Sequence, residues 1–251
     1  MTNITVSTSE LSRSYGARTA VHDIGFELRQ GEVLGLLGPN GAGKTTTLQM
    51  LAGCLAPSAG RIEICGIDLL ERPREAKALL GFLPETPPLY RDLTVDEYLR
   101  FAARLHHVPK AGIPAALERT KRRCGLADTG KRLIGSLSKG FQQRVGIAQA
   151  IVHNPRVVIL DEPTVGLDPI QIREIRTLIR ELGGKHSVIL STHILTEVES
   201  VCDRIQIMDR GQLVFGGDFA QLKQAHPEQA GLEEVFIHLT NGHGEKRRPE
   251  L

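Results

Sequence analysis

A short glycine-rich segment near the N-terminus has the residue types and spacing that phosphate binding requires. It fits the pattern G-x-x-x-x-G-K-[ST] and consists of Gly38, Pro39, Asn40, Gly41, Ala42, Gly43, Lys44, Thr45 and Thr46. Glycines let backbone N–H groups close around phosphate oxygens, and a helix that starts there adds partial positive charge. The Lys44 ammonium can reach the outer phosphates, and the Thr45 hydroxyl can bind Mg²⁺. We predict a nucleoside triphosphate site; an apolar strand before the segment argues against a chance glycine loop.

Two adjacent carboxylates, Asp161 and Glu162, follow the apolar run Val-Val-Ile-Leu at 157–160. In an open parallel sheet the carboxyl ends of the strands meet at the ligand crevice. We therefore expect Asp161 to face the metal at the phosphate-binding segment, and Glu162 to polarise an attacking water molecule. The alternative is that Asp161 only caps a helix and Pro163 only ends the strand.

The elements that must position these residues alternate between strands and helices. We predict short strands within 4–36 with a loop at 14–18, a strand at Val33–Leu37, a helix from 43 to about 53, and a strand at 61–65. Val95, Leu99 and Ala102 have helical spacing and indicate a helical insert at about 89–154. Beyond it, strands at 157–160, 187–191 and 204–208 alternate with a helix at 169–182 and another from Ile194, and helical segments follow at 219–224 and 232–240. Strands that alternate with helices predict an α/β fold with parallel βαβ units.

Length and composition limit the class of protein further. The 251 residues suffice for one α/β domain, which we place at 1–240, with a polar and disordered tail at 241–251. The formal charge of +2 is too small to indicate a nucleic-acid partner. We find no apolar run of about 20 residues and no signal peptide. The four cysteines are widely spaced with no Cys-x-x-Cys pair; their number allows disulfides, but we expect a cytosolic protein with free thiols. The nine histidines have no metal-ligand spacing.

Five further segments resemble motifs of the ATP-binding cassette (ABC) ATPases. Residues 137–144, Leu-Ser-Lys-Gly-Phe-Gln-Gln-Arg, resemble the signature motif; residues 165–168 resemble the D-loop, 191–193 the switch-histidine loop, and 81–85 the Q-loop, while Tyr15 matches the A-loop aromatic residue that stacks on adenine. With the phosphate-binding segment, these motifs cover about 5–215 in the order of the family. The sequence around Ser-Lys-Gly-Phe and Leu-Pro-Glu most resembles that of ABC-2-type exporters.

The resemblance implies a P-loop NTPase core with a mostly parallel sheet, an antiparallel β-subdomain and an inserted helical subdomain. It implies an ATPase that uses ATP and Mg²⁺, lies on the cytoplasmic face of the cell membrane, and works with a separate transmembrane permease. Two copies, most simply a homodimer, would enclose each ATP between one P-loop and the other copy's signature motif. The implied site residues, beyond the glycine-rich segment, are Glu162 and His193 with Lys44 for catalysis, Tyr15, Ser138, Gly140 and Asp168 for the nucleotide, and Thr45, Glu85 and Asp161 for the metal.

Three residues depart from the usual motifs of the family. Lys139 and Phe141 replace the third and fifth residues of Leu-Ser-Gly-Gly-Gln, whereas Ser138 and Gly140 keep the hydroxyl and the amide expected at the γ-phosphate. Glu85 stands where glutamine is usual, and a carboxylate binds Mg²⁺ more strongly but adds negative charge near the phosphates.

Other functions and simpler roles remain alternatives. A soluble ABC-type ATPase that acts on ribosomes or DNA is one, although such members usually hold two cassettes, coiled coils or zinc sites. A small-molecule kinase would not explain the signature and switch segments. Tyr15 is alternatively a loop aromatic residue, and His193 a core histidine. The transported substrate is selected by the membrane subunit, and the direction of export rests on the resemblance alone.

Overall fold

The computed structural model describes residues 3–228 and 231–241, which form two β-sheets with helices packed around them. The strands are β1 (Ile4–Tyr15), β2 (Arg18–Arg29), β3 (Val33–Leu37), β4 (Ala59–Ile64), β5 (Ile67–Asp68), β6 (Leu80–Leu83), β7 (Val157–Asp161), β8 (Ser187–Thr192), β9 (Arg204–Asp209) and β10 (Gln212–Gly217). The α-helices are α1 (Lys44–Leu51), α2 (Pro73–Ala78), α3 (Val95–Leu105), α4 (Ile113–Arg123), α5 (Lys139–Ile151), α6 (Pro169–Leu182), α7 (Leu195–Val201), α8 (Phe219–Ala225) and α9 (Leu232–Asn241).

The first sheet is antiparallel, with the strand order β2-β1-β4-β5. β1 and β2 are each 12 residues long, so the prediction of short strands within 4–36 was wrong. Register shifts along the β1–β2 pair, including one between Thr8 and Leu11, break the alternation of apolar and polar residues that would have shown a long strand. Tyr15 pairs with Arg18, which reduces the predicted loop at 14–18 to a two-residue turn.

The second sheet has the order β10-β9-β3-β8-β7-β6, and all neighbouring pairs are parallel except β10–β9. Every residue of β3, β7 and β8 is buried, as expected for parallel strands covered on both faces. The predicted fold class is confirmed: an α/β protein with a mostly parallel sheet and an antiparallel sheet. The carboxyl ends of β3, β7 and β8 lie side by side, because Leu37 pairs with Thr192 and Asp161 pairs with Ser191.

The helices agree closely with the sequence pattern where the pattern is long. α6 has the predicted bounds and buries Ile175, Leu178, Ile179 and Leu182 against the core, while Ile172 is only half-buried. α3, α4 and α5 lie within the predicted helical insert, and Val95, Leu99 and Ala102 are buried. That this insert and the limits 1–240 form structural units of their own stays a prediction.

Short elements were missed by the sequence analysis. These are β5, α2, β6 and β10, which are between two and six residues long. Elements of this length contain too few residues for a periodic pattern to emerge. Helix α9 ends at Asn241, one residue past the predicted domain limit, and the rest of the predicted tail, 242–251, lies outside the described residues. Across 3–228 and 231–241, no helix combines the length and apolar character needed to cross a bilayer.

Candidate functional site

A cavity of about 660 Å³ opens at the carboxyl ends of the parallel strands. Ten of the residues that line it were predicted from the sequence: Tyr15, Asn40, Gly41, Gly43, Lys44, Thr45, Thr46, Glu85, Glu162 and His193. Arg18, Ala20 and Val165 complete its wall. The fold thus brings the glycine-rich segment together with side chains from more than 100 residues further along the chain.

The glycine-rich segment turns sharply between β3 and α1. Gly41 and Gly43 have φ values of 80° and 106°, in the left-handed region that favours glycine. A Cβ atom at Gly43 would also lie 2.7 Å from the carbonyl oxygen of Ala20, so any side chain there would clash with backbone. This turn allows α1 to begin at Lys44 with its free N–H groups directed to the cavity end of the helix.

Lys44 is buried, with only 5 % of its surface exposed, and its ammonium group has partners in the P-loop backbone and in Glu162. Its ammonium nitrogen donates to the carbonyl oxygens of Gly38 at 2.8 Å and Pro39 at 3.3 Å. The same nitrogen lies 3.4 Å from Oε1 of Glu162. A buried ammonium with these partners is a fixed positive charge at the phosphate-binding turn.

Asp161 provides a buried carboxylate beside Thr45. Oδ1 of Asp161 accepts hydrogen bonds from the hydroxyls of Thr45, at 3.3 Å, and Ser191, at 2.6 Å. Asp161 is 1 % exposed and is the last residue of β7, so the alternative role as a helix cap does not apply. A hydroxyl and a carboxylate oxygen are hard ligands of the kind that Mg²⁺ prefers, and the two residues fit the predicted metal-binding role.

Glu162 and His193 both line the cavity and contact each other. Nδ1 of His193 lies 3.0 Å from Oε2 of Glu162. Glu162 is only 7 % exposed and has a φ of 46°, whereas the His193 side chain is 42 % exposed. His193 is therefore not a core histidine. A carboxylate held by an imidazole and an ammonium beside a phosphate site can orient and deprotonate water.

Tyr15 is the last residue of β1 and lines the cavity. Its side chain is 47 % exposed, and the guanidinium of Arg13 lies over the ring at 4.7 Å from the centroid. The cation fixes the plane of an otherwise exposed ring. A fixed aromatic face in the wall of the cavity suits the stacking of a planar base.

Ser138, Gly140 and Asp168 are not among the residues that line the cavity. Ser138 is the exposed N-cap of α5, and its hydroxyl accepts from the backbone N–H of Phe141 at 3.5 Å. Asp168 is the exposed N-cap of α6 and accepts from the N–H of Gln171 at 2.9 Å. The chain by itself does not bring these three predicted nucleotide-binding residues to the P-loop.

Ser191 is a residue at the site whose contacts sequence reasoning missed. It is fully buried, donates to Asp161, and accepts from the backbone N–H of Glu162 at 2.9 Å. That second bond holds the left-handed backbone of Glu162. The sequence placed Ser191 at the end of a predicted strand and at the start of the segment that resembles the switch-histidine loop, but its partners became visible only with the β7–β8 register.

A parallel sheet with a P-loop after one strand and two carboxylates after another defines a P-loop nucleotide-hydrolysing domain. The family model described as "ABC transporter" matches residues 21–165. The chain belongs to the ABC transporter ATP-binding family.

Individual relatives agree with this assignment. The chain is 41 % identical over 219 residues to the uncharacterized ABC transporter ATP-binding protein YxlF of Bacillus subtilis, covering 87 % of this chain and 72 % of YxlF. It is 38 % identical over 221 residues to the bacitracin transport ATP-binding protein BcrA of Bacillus licheniformis, covering 87 % and 71 %. A solved structure of the ATP-binding subunit of an ABC transporter superposes with a TM-score of 0.84 at 32 % identity, covering 94 % of this chain and 99 % of that one.

The chain is therefore the ATP-binding subunit of an ABC transporter and an ATPase. ATP-binding subunits of this family work with transmembrane subunits. The relatives bear transporter names, and the ribosome-acting alternative has no support among them.

Proposed function

We propose that this chain drives an ABC-2-type exporter through a separate transmembrane permease, from the cytoplasmic face of the membrane. Similarity to a bacitracin transport protein supports the transport role, and the export type rests on the resemblance of the Ser-Lys-Gly-Phe and Leu-Pro-Glu segments to ABC-2-type exporters. We further propose that the working unit contains two copies of the chain, which close on ATP and reopen after hydrolysis, and that it contacts no nucleic acid. The formal charge of +2 supports the last point.

The position of Ser138 carries the proposal of two copies. This serine begins a 13-residue helix, is exposed, and lies outside the cavity of its own chain. The N-terminus of a helix attracts anions through its free N–H groups and its dipole. The ends of α5 and α6, with Ser138, Gly140 and Asp168, would complete the nucleotide site of a second copy, where Ser138 and Gly140 bind the γ-phosphate.

The proposed hydrolysis uses the groups arranged around Glu162. Water attacks the γ-phosphorus, a new P–O bond forms, and the bond to the ADP oxygen breaks. Glu162 orients the water and accepts its proton, while His193 holds Glu162 and stabilises charge on the transferred phosphoryl group. Lys44 neutralises the outer phosphate oxygens. Mg²⁺, held by Thr45 and Asp161 with Glu85 nearby, would supply further charge neutralisation.

The test uses Glu162→Gln, which preserves the shape of the side chain and removes the base. This variant should bind MgATP and remain a dimer in light scattering at high protein concentration, whereas wild type should dimerise only transiently and MgADP should give monomers. Adding Ser138→Arg places a bulky cation where the opposite nucleotide must dock, so the double variant should stay monomeric. Ser9→Arg, on an exposed β1 position, is the matched control and should not prevent the dimer.

The outcomes separate the parts of the proposal. If Glu162→Gln hydrolyses ATP at the wild-type rate, Glu162 is not the base. If dimerisation depends neither on ATP nor on the Ser138→Arg change, the proposal that two copies share each nucleotide site is wrong. Export itself is tested by purifying the transmembrane protein that binds this chain and measuring ATP-dependent efflux from vesicles.

A further inference from the structure

Glu197, on α7, is a buried carboxylate that lies next to the site but not in the cavity. It is 2 % exposed. Each of its two oxygens accepts a hydrogen bond from a different threonine: Oε1 from the Thr164 hydroxyl at 2.6 Å, and Oε2 from the Thr192 hydroxyl at 2.7 Å. The guanidinium of Arg176, on α6, lies 3.7 Å from Oε1. Burial of a carboxylate is costly, and these three partners offset the cost.

Each threonine lies next to one of the proposed reacting groups: Thr164 in the loop after β7, and Thr192 at the end of β8. Thr164 lies two residues after Glu162, in the loop that follows β7. Thr192 immediately precedes His193, and its hydroxyl also accepts from the backbone N–H of Ile194 at 3.0 Å. Glu197 therefore restrains the backbone on both sides of His193 and the loop just beyond Glu162.

We infer that Glu197 is a positioning residue for hydrolysis: through Thr164 and Thr192 it fixes the distance between Glu162 and His193. The inference rests on the proposed roles of Glu162 and His193. Their side chains meet at 3.0 Å, although they lie on separate loops and the His193 side chain is 42 % exposed. The β7–β8 pairing ends at Asp161 and Ser191, and β8 itself ends at Thr192, which pairs with Leu37 of β3, so Glu162 and His193 both lie beyond the strand pairing. The Glu197 bonds continue the connection past the ends of the strands.

Arg176 extends the same restraint to α6. The N-cap of this helix is Asp168, the residue proposed to face the second copy. A buried charge that joins the two catalytic loops to this helix keeps all three in one arrangement, which is the kind of preorganisation that phosphoryl transfer requires.

The experiment removes the two threonine hydroxyls one at a time in the full chain. Thr164→Val and Thr192→Val keep the branched shape and lose the donor, whereas Thr164→Ser and Thr192→Ser keep the donor. Thr177→Val is the control, because Thr177 lies on the exposed face of α6 and its hydroxyl bonds to the Arg173 carbonyl. Steady-state ATP hydrolysis gives kcat, nucleotide titration gives the affinity, and the imidazole NMR signals of His193, assigned with His193→Ala, report its environment without turnover.

Each valine variant should lower kcat about 10-fold or more, as expected when a hydrogen bond to a charged group is lost, with ATP affinity within about 2-fold of wild type. The His193 signals should move, the serine variants should restore both readouts, and the double valine variant should lose little more than either single variant. Thr164 is not adjacent to His193 in the chain, so Thr164→Val serves as the second variant if Thr192→Val does not fold.

Two results would count against different claims. If Glu162→Gln stops hydrolysis while both valine variants match Thr177→Val in kcat and in the His193 signals, Glu197 has no positioning role and the proposed function stands. If Glu162→Gln hydrolyses ATP at the wild-type rate, the proposed base is wrong. In that case the His193 signals of the two valine variants decide about Glu197: signals that do not move reject its positioning role.

Discussion

The Lys44 ammonium and the Glu162 carboxylate lie side by side in the lining of the cavity, with 3.4 Å between Nζ and Oε1 and both side chains less than 10 % exposed. One belongs to the P-loop and the other follows β7. ATP phosphates carry negative charge to the same place, so they compete with Glu162 for Lys44. We therefore expect nucleotide binding at Lys44 to change the position of the proposed base.

Lys44→Ala should abolish productive ATP binding without unfolding the domain. A ligand that binds only the folded state at about 100 times its Kd stabilises it by about 2.7 kcal/mol, so MgATP should raise the melting temperature of wild type clearly. The variant should show no such rise. Lys185→Ala, an exposed lysine outside the cavity, is the control and should respond as wild type. An equal shift in Lys44→Ala would contradict the P-loop role of this residue.

Tyr15→Ala should weaken ATP binding about 5- to 150-fold, because stacking of a base on an aromatic ring contributes roughly 1–3 kcal/mol. Tyr15→Trp should keep the affinity. Calorimetric titration measures both. Tyr90→Ala removes another exposed tyrosine that does not line the cavity, and it should leave the affinity unchanged. Equal affinities for wild type and Tyr15→Ala would exclude adenine stacking.

Glu85→Gln tests the metal-binding side of the site. Glu85 is exposed and lines the cavity, so its carboxylate can add to the ligands from Thr45 and Asp161. At neutral pH the amide should raise the Mg²⁺ concentration for half-maximal hydrolysis by about 10-fold, a loss typical of removing one supporting group at a metal site. Removal of Mg²⁺ with EDTA should stop hydrolysis in both proteins. Glu71→Gln, exposed and remote, provides the comparison; a Glu85→Gln curve that overlays it would exclude a role in Mg²⁺ binding.

The fold should lose stability as the pH falls, because of His153. Burial, with the stacked His106 ring at 3.6 Å, lowers the pKa of His153 from 6.5 to about 4, while its Nε2 lies 2.9 Å from the Leu80 carbonyl oxygen. The unfolded chain takes up this proton below about pH 6.5 and the folded chain only near pH 4, so stability is lost across that window. Between pH 7 and pH 5 the loss should be about 2 kcal/mol.

Urea denaturation at both pH values measures this loss. His153→Asn should reduce the difference between pH 7 and pH 5, whereas His107→Asn, at an exposed position with a φ of 57°, should retain it. Burial also lowers the pKa of His106 and His186, so a smaller dependence should remain in His153→Asn. A dependence that is unchanged in His153→Asn would assign the effect to other groups.

Contiguous patterns predicted much of the fold correctly. The 14-residue helix α6 and the strand before Asp161 are long enough for their periodicity or apolar character to be read directly. The β1–β2 ribbon was predicted as short strands because its irregular register hides the alternation. The short strand β10 pairs only with the neighbouring β9, at the edge of the sheet, and has no pattern of its own.

The sequence by itself determined the class of chemistry. The P-loop from Gly38 to Thr46 is contiguous, and its function follows from local backbone geometry and one lysine, which need no distant partner to be recognised. The carboxylates after a buried strand were predicted for the same reason. The roles proposed for Ser138, Gly140 and Asp168 came from their resemblance to family motifs.

Only the tertiary structure decided how these groups meet. Ser191 lies 30 residues from Asp161, and Glu197 lies 33 from Thr164, so their bonds depend on strand register and helix packing rather than on local spacing. Likewise, the exposure of Ser138 outside its own cavity is a property of the whole fold. Contacts between distant residues depend on how the complete chain packs, because no local pattern records which side chains a sheet and its helices bring together.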